Sequence, residues 1–421
     1  MSHELGAFVR RSAALVVQPR MGFATAGAMR AGLAAVRGAG LPAVGTITLD
    51  SYTRVGDHAA ARRALDGGRP LNGFPIVAHG PAVTDAVLDG LAGPDFPVQV
   101  RHGSAVPGDI VRAMERSGLV NTEGGPVSYC LPYGRTPLAE SVANWRRAAD
   151  LLAARDEVCH VETFGGCLLG QLCPPALLVA VSVLEAVFFR QRGLRSLSLS
   201  YAQQTNAAQD LEALAALRSL ATRLLPGVRW HIVLYTYMGV FPRSESGALR
   251  LIADSARLAV RGGAARIIVK TSAEAHRIPT VEENLRSLRL VHDTAAATGP
   301  GTGPVPDTGL AAEATALVEA VLSLDPDVGE ALILAFRLGL LDVPYCLHAD
   351  NAGRTRSVLD SRGRLRWASV GRLPLPRLAS GARRVGAADL LRMLSAVERR
   401  YDHHHQPAPL TGAPTLVEGT Q

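Results

Sequence analysis

The chain has 421 residues, 48% of them hydrophobic, enough for one large α/β domain with an appendage and a sizeable core. Its net charge of +7 does not mark a nucleic-acid binder, because the arginines are spread along amphipathic segments without a dense run interleaved with aromatics. No stretch of ~18 uninterrupted apolar residues reads as a membrane span, and the opening MSHELGAFVRRSAALVVQPR is too broken by charge for a signal peptide, so a cytoplasmic protein is expected.

From residue 15 onward, short β-rich runs alternate with longer helical patterns, the signature of repeated βα units. Nine runs read as strands: 15–18, 44–49, 74–78, 98–100, 127–131, 160–163, 197–200, 232–237 and 266–269. Amphipathic helices are predicted over 138–154, 175–192 and 207–224. The pattern predicts a TIM-type (β/α)8 barrel over residues 1–300, with one of the nine runs either outside the closed sheet or not a strand.

Thr298 to Gly309 is linker-like in composition, and helical patterns follow over 310–339. Arg356 to Ser369, with a turn at Asp360-Ser-Arg-Gly363, reads as a hairpin. Residues 340–355 form a polar loop suited to cap a barrel mouth, so 301–401 is expected to be a smaller C-terminal α+β region. From 402 onward the chain reads as a disordered tail, and His403 to His405 as solvated residues of it, with no metal site.

Five cysteines (Cys130, Cys159, Cys167, Cys173 and Cys346) are odd in number and form no Cys-x-x-Cys pair, so neither a disulfide frame nor a zinc ribbon is indicated. Of the 44 basic residues a single one is lysine, Lys270. A position that keeps Lys where every other basic residue is Arg points to a need for a compact ammonium.

A (β/α) barrel carries its chemistry at the carboxyl ends of its strands. Arg20 follows the first run, Asp50 and Arg54 the second, Arg101 and His102 the fourth; Glu123 precedes the fifth, and Lys270 with Glu274 closes the last. Three arginines over one mouth fit carboxylates or phosphates. No Gly-x-x-x-x-Gly-Lys-Ser/Thr or Gly-x-Gly-x-x-Gly loop is present, so a dicarboxylate is the more economical partner, with Glu123 facing a cation or acting as a base. The stretch Asn121 to Tyr133 then becomes the organising one. Glu123 is followed by Gly-Gly-Pro, which no regular helix tolerates, and by Tyr129 and Tyr133. Read alone, the same stretch is a surface turn anchored by two tyrosines.

These segments resemble the large (epsilon) subunit of glutamate mutase, also called methylaspartate mutase. The resemblance is carried, in the family's order, by Gln18-Pro-Arg20, Thr46 to Arg54, Leu71-Asn-Gly-Phe-Pro75, Arg101-His-Gly103, Glu123-Gly-Gly with Ser128-Tyr129 and Pro132-Tyr133, Asn206 to Asp210, Met238-Gly with Phe241-Pro, Ile268-Val-Lys-Thr with Glu274 and Ile278-Pro-Thr, and Asn351-Ala-Gly353. It implies a barrel that meets adenosylcobalamin held mainly by a small cobalamin-binding partner subunit, in a heterotetramer built on a homodimer core. It further implies that Arg20, Arg54 and Arg101 clamp both carboxylates of L-glutamate, that Glu123 receives the substrate ammonium, and that Tyr129 and Tyr133 touch substrate. Asn72, Pro132, Lys270 and Glu274 fall on the cofactor side, the last two at the adenosyl ribose. The implied reaction is a radical interconversion of glutamate and 3-methylaspartate.

The chain departs from the family at Tyr235 to Phe241, where a more His/Trp-rich version is expected, at Ser200 to Thr205, expected to be Gly-rich, and at Leu347 to Asp350, where a Lys often stands. It also begins near the family's first barrel strand. These departures leave two alternatives open: the same mutase chemistry on another small dicarboxylate such as 2-oxoglutarate or aspartate, and a non-catalytic dicarboxylate-binding or regulatory barrel.

Overall fold

The computed structural model describes residues 3–132, 134–376 and 385–403. Eight parallel strands run in ring order: β1 (Val16–Pro19), β2 (Gly45–Thr48), β3 (Val98–Arg101), β4 (Asn121–Gly124), β5 (His160–Thr163), β6 (Ser196–Ala202), β7 (Arg229–Tyr235) and β8 (Arg266–Val269). The ring closes between β1 and β2 through the Val17–Ala43 bridge and the bonds from Val44 N to Val17 O (3.1 Å) and Thr48 N to Met21 O (2.9 Å). The (β/α)8 barrel expected from the alternation of patterns is therefore the observed architecture.

Two of the nine expected strands are corrected. Residues 74–78 run into a helical turn, Ile76–His79, and only Phe74 makes a bridge, to Leu49. Pro75 has no N–H to give a ladder, which ends the pairing there. Residues 127–131 form turns beneath the mouth, and the strand in that part of the chain is the polar Asn121–Gly124. Glu123 thus lies within β4 instead of preceding a strand. The apolar run read as a strand is apolar because Val127, Cys130 and Leu131 pack into the core from the turn.

The helices 138–153, 175–191 and 207–224 lie within one residue of expectation. Asn206 starts the last of these by accepting the N–H groups of Ala208 and Gln209. In the helix Pro175–Gln191 every residue from Pro175 to Phe189 is buried, so no polar stripe marks it. Its outer side is covered by the helices Leu310–Leu322 and Val328–Leu338, which follow the linker.

The hairpin is formed by β9 (Arg356–Leu359) and β10 (Leu365–Ser369), antiparallel as expected. The loop before it is tied to the barrel: Asp350 Oδ2 accepts Leu138 N (2.7 Å), and His348 Nε2 meets Thr136 O (3.0 Å). Asp342 fixes the loop's own end by accepting the N–H groups of Gly353, Arg354 and Thr355 at 2.7–2.8 Å.

The helix Ala396–His403 carries order two residues into the stretch expected to be tail. Asp402 accepts Arg243 N (3.0 Å) and Ser244 N (3.1 Å), which gives that end a partner. Residues 404–421, with His404 and His405, lie outside the described residues. All five cysteines are free and buried. Among the described residues, no helix is long and apolar enough to cross a membrane.

Candidate active site

Strand alternation turns every second side chain into the barrel, and here the inward column is polar from floor to mouth. At the floor, Asn121 Oδ1 accepts Leu5 N (2.8 Å) from the helix Leu5–Arg11, and Glu4 bonds Ser196 Oγ. His160 lies between Ser196 Oγ (2.8 Å) and Ser198 Oγ (3.0 Å). In the middle, Arg266 and Glu162 form an ion pair with both side chains 0% exposed. Arg266 also bonds Gln18 and Ser198, and Gln18 Nε2 donates to Gln99 Oε1 (2.7 Å).

At the mouth, Arg101 Nε donates to Glu123 Oε2 (2.6 Å), with the two side chains 5% and 2% exposed. Tyr129 Oη donates to Glu123 Oε1, and Tyr235 Oη stands 2.8 Å from Glu123 Oε2, 3.3 Å from Arg101 Nη2 and against Glu162 Oε1. Burial opposes charge on Arg101, but Glu123, Tyr235 and Tyr129 together outweigh it and raise the guanidinium above its ordinary range. Burial also opposes charge on Glu162; Arg266, Tyr235 and Arg101 outweigh it and hold that carboxyl low.

The Gly-Gly after Glu123 has a packing reason. Gly124 sits at φ 144, where a Cβ would lie 2.3 Å from the Trp145 ring, and a Cβ on Gly125 would lie 2.1 Å from Glu185. Glu185, buried in the helix Pro175–Gln191, accepts Val127 N (3.1 Å), Ser128 N (2.8 Å) and Ser128 Oγ (3.0 Å), and so shapes the turn that presents Tyr129. Burial pushes the Glu185 carboxyl up to about 7 in spite of those donors.

His102 belongs beside Arg101. Its Nδ1 accepts Ser104 N (3.1 Å), which places the ring proton on Nε2, and Nε2 is buried with no partner among the described residues. The ring stacks on Trp145 (5.7 Å, 18°) and meets Tyr129 edge-on (5.2 Å). Burial, and then Arg54 and Arg101, push its pKa down to about 3, so it is a neutral N–H donor. Arg54 ends a short helix capped by Asp50, gives Nε to Leu49 O (3.2 Å), and passes close to Gly103.

A second cluster joins Arg20, Lys270 and Glu274. Glu274 Oε1 receives Arg20 Nη1 and Lys270 Nζ, each at 2.9 Å. Lys270 lies 5.2 Å from the centre of the Phe241 ring. Burial pushes the Lys270 ammonium down to about 8 against the pull of Glu274. Burial works against the charge of Glu274 too, and Arg20 and Lys270 outweigh it.

The structure therefore places Arg101, Glu123 and Tyr129 in one hydrogen-bonded group and Arg20, Lys270 and Glu274 in another. Asn72 is exposed and accepts Ser51 N (2.9 Å), and Pro132 is half-buried in the turn after β4. Tyr133 lies outside the described residues. Glu162, Tyr235 and Arg266 were not singled out from the sequence; charged or phenolic side chains on strands otherwise apolar or small were their signal. Two open concavities lie elsewhere, about 980 Å³ beside Asp89 and Asp156 at the floor and about 690 Å³ beside Arg362 and Arg399, without convergent buried charge.

Fold and mouth together define a (β/α)8 barrel with paired charges of both signs at the carboxyl ends of its strands. The chain matches the Methylaspartate mutase E chain (MutE) family over residues 6–386 and belongs to it. It is 33% identical over 345 residues to the glutamate mutase epsilon subunit of Haloarcula marismortui, covering 78% of this chain and 70% of that one. It is 32% identical over 349 residues to the subunit of that name from Desulfitobacterium hafniense (78% and 71%), and 30% identical over 351 residues to that from Escherichia coli O157:H7 (78% and 72%). The family makes this chain a mutase subunit, of the isomerase class.

Proposed function

We propose that the chain is the catalytic large subunit of an adenosylcobalamin-dependent mutase that interconverts L-glutamate and 3-methylaspartate. The observation that carries this reading is the buried Arg101–Glu123 pair, an anion grip beside a cation acceptor at 2.6 Å, with Arg54 and His102 alongside. An amino dicarboxylate matches both signs at once. A carboxylate offers about four acceptor sites; Arg101 and Tyr129 take two on Glu123, and the single hydroxyl proton of Tyr235, shared with Glu162, takes at most a third, so at least one on Oε1 is left for an ammonium N–H.

Arg54 has the least committed fork, since only its Nε is bonded among the described residues, and it would take a substrate carboxylate two-pronged. His102 Nε2–H would donate to the same ligand without adding charge. Tyr129 keeps Glu123 aimed, and Tyr133 would be a further substrate contact.

The second cluster fits a sugar diol. Glu274 keeps Oε2 without a partner among the described residues, and Lys270 is a buried donor beside it, so the pair would hold the adenosyl ribose, with Asn72 and Pro132 at the rim. Adenosylcobalamin, carried mainly by the partner subunit, supplies when bound the radical chemistry that takes and returns a hydrogen atom. This chain's part is to grip both carboxylates, accept the ammonium's hydrogen bond or its proton at Glu123, and keep water from the reacting carbons.

The decisive experiment is NMR of product formed from labelled glutamate by the purified chain, the small subunit and adenosylcobalamin. Methylaspartate is expected. Turnover of 2-oxoglutarate without turnover of glutamate would sink the substrate assignment. The chain by itself, at micromolar concentration, is expected to release adenosylcobalamin on gel filtration; retention would contradict the division of labour between subunits.

A further inference from the structure

An arginine beside a carboxylate usually closes into a two-pronged pair, and a closed pair at the mouth would consume the charges meant for substrate. Arg101 and Glu123 touch through one prong only, Nε to Oε2 at 2.6 Å. The place of the second prong, beside Nη2, is taken by Tyr235 Oη, 3.3 Å from Nη2 and 2.8 Å from Oε2. The Tyr235 ring lies under the guanidinium, 5.2 Å from its centre to Arg101 Cζ.

Tyr235 is itself fixed from below. Its hydroxyl meets Glu162, Glu162 pairs with Arg266, and Arg266 bonds Gln18 and Ser198. Tyr235 is 1% exposed, and Phe164 meets its ring edge-on at 5.6 Å. A phenol so braced cannot follow Arg101 or Glu123 if they move together. Tyr129 stands on the other oxygen of the carboxylate, where its hydroxyl bonds Glu123 Oε1, so it does not occupy the place of the second prong beside Arg101 Nη2.

We propose that Tyr235 is a positioning residue that keeps the Arg101–Glu123 pair half open, so that Arg101 keeps Nη1 for a substrate carboxylate and Glu123 keeps Oε1 for an ammonium. This role rests on the proposed function, since it serves a ligand carrying both charges. Without the hydroxyl, Oε1 swings onto Nη2, the fork closes, and the substrate must break an ion pair before it binds. The loss falls on binding, and the fold gains an ion-pair contact in exchange for the hydrogen bonds it gives up.

The test is Tyr235→Phe in the chain assembled with its small subunit and adenosylcobalamin. KM for L-glutamate is expected to rise at least about tenfold while kcat changes less than about threefold, and Tm is expected to stay within about 3 °C of wild type. Calorimetric titration of L-glutamate gives the same loss in Kd without relying on turnover. A folded Tyr235→Phe protein with wild-type KM and Kd overturns the proposal, as does a fall in Tm with unchanged KM. Should Tyr235→Phe fail to fold, Tyr235→Met, which keeps apolar bulk and carries no hydroxyl, is read with the same expectation: a rise in KM of about tenfold supports the spacer and KM near wild type overturns it. Wild-type protein that neither turns over nor binds glutamate overturns the proposed function and takes the spacer with it. Wild-type binding with an unaffected variant overturns the spacer alone.

Discussion

The floor and the mouth of this barrel are built from the same residue types and differ in how far those residues are satisfied. Glu4, His160, Asn121, Glu162 and Arg266 below are enclosed by partners, and Arg266 alone reaches Glu162, Gln18 and Ser198. Arg54, Arg101, His102, Glu123 and Glu274 above each keep a donor or acceptor unused among the described residues. The difference teaches that charge inside a barrel does not identify a site. Unspent hydrogen-bonding capacity at the carboxyl ends of the strands does, because only there can a ligand supply the missing partner.

The comparison breaks most visibly at the deep pair. Arg266→Met leaves Glu162 buried and unpaired, and is expected to cost about 3–5 kcal/mol of unfolding free energy. Denaturant melts measure it, and a loss under about 1 kcal/mol would mean that the pair is solvated and the floor is not distinct from the mouth.

Arg101→Lys is expected to do the reverse, sparing the fold and harming catalysis. It keeps the charge and loses the fork, at a cost of about 2–4 kcal/mol in kcat/KM for glutamate, roughly 30- to 1000-fold. Normal kcat/KM with a lowered Tm would make Arg101 a structural ion-pair partner.

Lys270 sharpens the contrast through pH. Burial places its folded pKa at about 8, below the ordinary 10.5, so between these values the unfolded chain binds the extra proton and this group's contribution to stability rises with pH. Activity is expected to run the other way, falling up to about tenfold per pH unit above 8 as the ammonium and its pair with Glu274 are lost. Lys270→Arg stays charged, so whatever activity it retains should lack that alkaline limb. An identical limb in both proteins would assign it to another group.

The smallest effect is expected at Arg192, whose half-exposed pair with Asp150 (2.8 Å) belongs to neither region. Arg192→Lys should change stability by about 0.2–1 kcal/mol and leave kcat/KM within about twofold of wild type. A loss comparable to that of Arg101→Lys would show that arginine loss in general, not the clamp, damages turnover.

Much of this architecture is written in local pattern. Alternating runs and amphipathic segments determine the βα repeat, and Asp360-Ser-Arg-Gly363 marks the hairpin turn, because turns and side-chain periodicity act over a few residues. The positions of Arg20, Arg54, Arg101 and Lys270 after β-rich runs are likewise legible, since the barrel's polarity fixes which strand end is the mouth. Tertiary structure decided the rest. Hydrophobicity placed a strand at 127–131 and passed over Asn121–Gly124, because a strand lining a polar interior loses the apolar signal by which strands are recognised. The helix Pro175–Gln191, read as amphipathic, is instead buried on every side as far as Phe189, which follows from the C-terminal helices that cover it. Which charges are spent on one another and which are left over depends on differences of a few tenths of an ångström in the spacing of side chains on strands far apart in sequence. Arg101 meets Tyr235 across 134 positions and Arg266 meets Glu162 across 104, and no local rule carries that information.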